Sequence, residues 1–173
     1  MTHERPPEKE MSRVRHVPGP WHGSRNTPND VLMLGCKVNV CTDSSENNFT
    51  DIDDFKNWNI DQDSAYLHYT PNETIAGLEF DYIPEVDIPL VADMSSTILS
   101  REIDVSKDGV IYAGAQKNIG HAGLTIIIVR ENLIGRVVKR QTKLYGYSAR
   151  DNNRYIFNTP ANFPWYAAGR VFE

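Results

Sequence analysis

The feature that most constrains this sequence is a short glycine-containing turn between two apolar runs. Residues 109–111 and 124–129 have the composition of buried strands, and residues 112–120 between them carry a single amine, Lys117. An amine held at the end of a strand can act as a nucleophile. The position is also compatible with an ordinary solvated loop lysine, because lysine is rarely buried without a partner.

A carboxylate stands at the end of an earlier apolar run. Asp93 follows residues 90–92 and precedes Ser95, and next come Ser96 and Thr97, either of which could orient a carboxylate or cap a turn. Pyridoxal phosphate requires such a pair: the lysine forms the Schiff base, and the acid keeps the ring nitrogen protonated. The sequence therefore predicts Asp93 and Lys117 as partners in a pyridoxal phosphate site.

Four separated strings resemble the phosphoserine aminotransferases, and they occur in the order that this family has. They are HYTPNET at 68–74, ADMSSTILSR at 92–101, GAQKNIG at 114–120 and FNTP at 157–160. The resemblance covers about residues 36–173. It implies an α/β fold: the central, incomplete part of the large domain of a class V, fold-type-I pyridoxal phosphate enzyme, with a mainly parallel sheet and flanking helices.

The resemblance also implies roles for individual residues. Lys117 would form the Schiff base and shuttle the proton, Asp93 would pair with the ring nitrogen, and Gln116 would donate to a cofactor phosphate oxygen. Thr74 would bind the cofactor at the ring oxygen, although a helix cap or a side-chain turn is the other interpretation of that threonine. His68 matches a family position, but its place within a strand favours a core histidine.

The resemblance implies a homodimer, in which Asn158 and Thr159 would reach the cofactor phosphate of the other subunit. The reaction of this family transfers an amino group between glutamate and 3-phosphohydroxypyruvate for serine biosynthesis, with a second phosphorylated oxo acid on the pyridoxine route.

Other family segments, including a glycine-rich phosphate loop, are not recognisable here. The alternative is therefore a truncated, inactive remnant that folds poorly or binds the cofactor weakly without turnover. One departure from the family is His121, which stands where proline is expected.

Composition excludes several other classes. A net charge of −5 gives no basic footprint for nucleic acid or for a membrane surface. No apolar run approaches the roughly 20 residues that span a bilayer, and there is no signal-peptide core, so we expect a cytoplasmic protein. Neither the two cysteines, Cys36 and Cys41, nor the scattered histidines have the spacing of a metal site.

The remaining expectations concern local structure. Residues 1–35 contain five of the ten prolines and scattered charges, so they are predicted to be disordered and dispensable. Thr50 and the acidic residues after it predict a short amphipathic helix over residues 50–58. Pro164 predicts the first turn of a closing helix, with Phe163, Ala167 and Val171 on one apolar stripe.

Overall fold

The computed structural model describes the backbone of residues 13–16 and, in full, residues 32, 36–44, 48, 50–75, 77–135 and 159–173. The chain divides into two compact units, Met1–Val91 and Ala92–Glu173.

The first unit contains three parallel strands. Strand β1, Arg13–His16, lies between β2, Lys37–Val40, and β3, Tyr66–Tyr69. Val14 is in register with Val38 on one side and with Tyr66 on the other. Residues 13–16 thus pair as a strand within the segment whose disorder the sequence predicts. The sequence of these four residues is a weak signal for a strand, and backbone pairing with a strand on each side holds them in an extended conformation. Apart from Leu32, the rest of that segment lies outside the described residues.

A short antiparallel hairpin follows β3. Strand β4, Asn72–Glu73, pairs with β5, Leu78–Glu79. The Gly77 N–H donates to the Glu73 carbonyl at 3.0 Å, and the φ of Gly77 is +73°, a conformation that favours glycine.

The first unit contains a group of aromatic rings in edge-to-face contact. The centroid distances lie between 5.1 and 6.3 Å, and the rings are those of Phe55, Trp58, Tyr69, Phe80 and Tyr82. Such pairs add to the free energy gained from burying the rings. Two of these rings, Phe55 and Trp58, belong to the segment for which the sequence predicts a helix.

Only one 3₁₀ turn, Phe55–Asn57, forms in that segment, so the prediction of an amphipathic helix is wrong. The Asp53 carbonyl accepts the indole N–H of Trp58 at 3.0 Å, and the Asp53 carboxylate accepts the Thr42 hydroxyl. The acidic residue that would have served a helical first turn is thus held in tertiary contacts.

The division between the units falls within strand β6, Leu90–Asp93. In the second unit β7, Val110–Gly114, lies between the end of β6 and β8, Thr125–Val129. Strands β7 and β8 are antiparallel, with Ile111 opposite Ile128. Ile111 and Ala113 are buried, in keeping with the apolar run in the sequence.

Helix α1, Asn162–Phe172, is the closing helix that the sequence predicts, and Pro164 lies in its first turn. The predicted apolar stripe is wrong in detail: Pro164 and Ala168 are buried, whereas Phe163 and Val171 are exposed. Within the described ranges, no helix is both long and apolar enough to cross a bilayer.

Candidate cofactor site

The ends of β6 and β7 lie side by side in the second unit. The Met94 N–H, directly after β6, donates to the Tyr112 carbonyl at 2.8 Å. One residue further along the first segment and two residues further along the second, the Gly114 N–H donates to the Ser95 hydroxyl at 3.1 Å. Both segments advance in the same direction through these bonds. The carboxyl ends of the two strands therefore meet at one edge, which is where ligands gather in open α/β sheets.

Asp93, the last residue of β6, is half-buried and held by its neighbour. Its Oδ1 accepts the Ser95 backbone N–H at 3.0 Å and the Ser95 hydroxyl at 2.6 Å. Hydrogen bonds to an ionised carboxylate are stronger than those between neutral groups. Ser95 engages only Oδ1, so it leaves the second oxygen of the carboxylate for another partner.

The turn after β7 is anchored by buried apolar residues. Ala115 and Ile119 have no exposed surface, and the Gly120 N–H closes the turn by donating to the Ala115 carbonyl at 2.8 Å. The Asn118 side-chain amide donates to the Ile98 carbonyl at 2.8 Å, which ties the turn to the segment that follows Asp93. Between these anchors Lys117 is exposed. That exposure suits a solvated lysine and a lysine that meets a ligand equally well.

Gln116 lies over the last residue of β7. A Cβ built at Gly114 would overlap the side-chain carbonyl oxygen of Gln116 and would lie 3.1 Å from its Cδ. The absence of a side chain at Gly114 therefore makes room for the Gln116 amide. This amide and the Lys117 amine come from consecutive residues of one anchored turn.

The downstream end of the turn rests on helix α1. His121 makes an edge-to-face contact with Phe163 at a centroid distance of 5.2 Å, and its Nδ1 lies 3.0 Å from the Ala122 carbonyl oxygen. The residue that departs from the family's proline thus contacts the closing helix.

The other predicted site residues belong to other segments of the chain. Thr74 is exposed in the turn between β4 and β5 and belongs to the first unit, so it does not cap a helix. His68 is buried in β3, as predicted for a core histidine. Thr159 is exposed just before α1, and Asn158 lies outside the described residues.

Ser95 and Asn118 are the two residues of this edge that sequence reasoning missed. The sequence carried a signal for Ser95, because an Asp-x-Ser pattern can form a local side-chain turn. The same pattern recurs at Asp104 and Ser106. Neither pattern by itself indicates which turn lies beside a second strand. In the part of the chain that the structure describes, no group of three or more acidic, histidine or cysteine side chains could hold a metal ion.

Comparison with known proteins gives a consistent result. The sequence model of the family described as aminotransferase class-V matches residues 22–173, so the resemblance begins upstream of residue 36, where the motifs alone place it. A phosphoserine aminotransferase of Ruthia magnifica subsp. Calyptogena magnifica is 72% identical over 138 residues, which cover 80% of this chain and 38% of that protein.

Solved structures agree with the sequence comparison. The phosphoserine aminotransferase from Bacillus circulans subsp. alkalophilus has a TM-score of 0.87 and 33% identity, over 94% of this chain and 45% of that one. The PLP-bound phosphoserine aminotransferase from Trichomonas vaginalis has a TM-score of 0.86 and 34% identity, over 94% and 46% of the two chains. The predicted fold class, part of a fold-type-I large domain, is confirmed. The chain spans less than half the length of each of these three relatives.

Proposed function

Because the chain belongs to the class V aminotransferase family, we propose that it is the pyridoxal phosphate-binding part of a phosphoserine aminotransferase. Its substrates would be glutamate and 3-phosphohydroxypyruvate, on the route to serine, with a phosphorylated oxo acid of the pyridoxine route as a second substrate. The observation that carries the proposal is the meeting of the β6 and β7 ends. It brings the carboxylate of Asp93 and the turn of Lys117 to one edge.

The side chains at this edge fit the cofactor by their chemistry. A carboxylate suits a protonated ring nitrogen, an exposed amine suits an aldehyde, and an amide suits a phosphate oxygen. Gly114 adds a steric argument, because any side chain there would take the space that Gln116 occupies. We assign the ring nitrogen to Asp93, the aldehyde to Lys117 and a phosphate oxygen to Gln116.

When bound, pyridoxal phosphate supplies an electron-withdrawing ring that stabilises negative charge on the α-carbon of the substrate. The work of the protein is to hold the ring and to move a proton. The Asp93 carboxylate stabilises positive charge at the ring nitrogen, since an opposite charge within a few ångströms favours the charged form. The Lys117 amine would act as general base for the α-proton of the substrate and then as general acid when it gives the proton up.

The outer parts of the site remain predictions that rest on the family resemblance. Thr74 would bind the ring oxygen, and Asn158 and Thr159 would bind the phosphate held by a partner subunit of a homodimer. A cytoplasmic location, with small molecules and not nucleic acid or membranes as partners, completes the proposal.

Reduction with borohydride in the presence of pyridoxal phosphate, followed by peptide mapping, tests the proposal. Lys117 should be labelled above all other lysines, and Lys117→Ala should abolish that label. Lys107→Ala is the matched control, because Lys107 is also exposed in a turn of the second unit and should not affect labelling. Asp93→Asn should keep some label but lose the half-reaction with glutamate. Label spread evenly over the surface lysines would favour the inactive-remnant alternative.

A further inference from the structure

Ser95 forms a bridge between the ends of two strands. Its hydroxyl donates to Asp93 Oδ1 at 2.6 Å and accepts the Gly114 N–H at 3.1 Å. Its backbone N–H donates to the same Oδ1 at 3.0 Å. The hydroxyl hydrogen and one of its lone pairs are thus both committed, which fixes the orientation of the group. The Asp93 carboxylate is thereby attached to the strand that leads into the Lys117 turn.

A second Asp-x-Ser turn in the same unit lacks this connection. Ser106 donates its hydroxyl and its backbone N–H to Asp104 Oδ1 at 2.6 and 3.0 Å, the same two distances. Both residues are exposed in the loop before β7. The local turn is therefore generic, and the feature particular to Ser95 is the third bond, from the backbone of another strand.

We propose that Ser95 is the positioning residue of Asp93. By holding Oδ1 and tying it to β7, the serine turns the other carboxylate oxygen towards the ring nitrogen of the cofactor, so this inference rests on the proposed function. A carboxylate held in place needs no reorganisation when positive charge forms on the ring. Without the hydroxyl, Asp93 keeps only the backbone N–H of Ser95 and is free to turn away from the edge.

The first test uses the full chain without cofactor. In Ser95→Ala the Gly114 amide loses its acceptor, so its hydrogen exchange should become roughly tenfold faster, and the carboxyl carbon signal of Asp93 should move. Ser95→Thr retains a hydroxyl and should restore both observations. Ser106→Ala, the matched control, should leave both unchanged. Ser95→Cys keeps nearly the same size but has a weaker donor and acceptor. It replaces the alanine variant if that variant folds poorly, and its Gly114 amide should then exchange faster than in the unaltered chain.

The second test follows the absorbance of bound pyridoxal phosphate as a function of pH. In Ser95→Ala the ring nitrogen should lose its proton about one pH unit lower than in the unaltered chain, which corresponds to about 1.4 kcal/mol. The threonine variant should restore the titration. A role limited to folding would lower the melting temperature without moving this titration.

The outcomes separate the two proposals. If Lys117 of the unaltered chain takes no borohydride label, the proposed function fails, and the role of Ser95 towards the cofactor fails with it. If Lys117 is labelled but Ser95→Ala matches the unaltered chain in amide exchange and in ring titration, the proposed function stands and the positioning role is wrong.

Discussion

Gly123 lies against Pro164: a Cβ built on this glycine would come within 3.2 Å of the proline Cγ. Gly123 also has a φ of +108°, a backbone conformation that other residues rarely adopt. A Cβ at Gly120 would similarly lie 3.3 Å from the backbone nitrogen of Ala168. Helix α1 therefore packs on the last glycine of the Lys117 turn and on a second glycine three residues later.

Gly123→Ala should lower the free energy of unfolding by about 1–3 kcal/mol. Alanine is strained at this positive φ, and its methyl group would lie too close to the ring of Pro164. Gly169→Ala is the matched control. It lies within α1, and a methyl group added there would meet open space, so it should raise the free energy of unfolding by about 0.5–1 kcal/mol. Urea unfolding followed by circular dichroism measures both variants. Equal effects would contradict close packing of the helix on Gly123.

Strand β1 should resist proteolysis in spite of the composition around it. Its backbone pairs with β2 and β3 on both sides, which shields the bonds after Arg13 and Arg15 from trypsin. Cleavage after Arg15 should therefore be slower than cleavage after Lys107, which is exposed in a turn. Limited digestion followed by mass spectrometry gives the order of cleavage. Faster cutting after Arg15 would support the prediction from the sequence that this segment is disordered.

Gly114→Ala should displace the Gln116 side chain without disrupting the strand. The overlap involves the far end of a flexible side chain, so the glutamine can move aside. If Gln116 holds the cofactor phosphate, the affinity for pyridoxal phosphate should fall about five- to twentyfold, as expected when one hydrogen bond to a charged group is lost.

Gln116→Ala should weaken binding similarly, and the double variant should be no weaker than either single variant, because both changes remove the same contact. Fluorescence titration with pyridoxal phosphate measures all three. Additive losses would show that Gly114 acts by another route.

Ser106 should control the titration of Asp104. The hydrogen bonds from the Ser106 hydroxyl and backbone N–H lower the pKa of Asp104, and Lys107 adds a smaller charge effect in the same direction. Ser106→Ala removes the hydroxyl bond, so the pKa should rise part of the way towards the ordinary value for aspartate. Carbon-detected NMR titration of the side-chain carboxyl group measures it.

The sign of the linkage follows from this direction. A carboxyl group whose pKa is lowered in the folded state contributes stability above the ordinary pKa of about 3.9. That contribution disappears as the pH falls through the lowered value. Ser106→Ala should therefore be slightly less stable than the unaltered chain near pH 7, and the difference should shrink in acid. Urea unfolding at several pH values measures it, and a difference that grows as the pH falls would contradict this account.

Sequence alone predicted the two strand ends at which the proposed site lies. Asp93 and Lys117 each follow an apolar run, and both runs form strands, because alternation and turn signals are carried by neighbouring residues. Pro164 likewise marked the first turn of α1, since its fixed φ suits that position. These features are local, so a short window of sequence contains their physical cause.

Tertiary structure decided what joins these local features together. The sequence around Val14 does not indicate that β1 lies between β2 and β3. The sequence around Ser95 does not indicate that its hydroxyl accepts a hydrogen bond from Gly114, nineteen positions away. Phe163 matched the apolar stripe of a helix, yet Ala168 is buried in its place because Gly120 lets the helix backbone approach. Each outcome depends on backbone pairing or close contact with residues far away in the chain, and local sequence patterns do not contain that information.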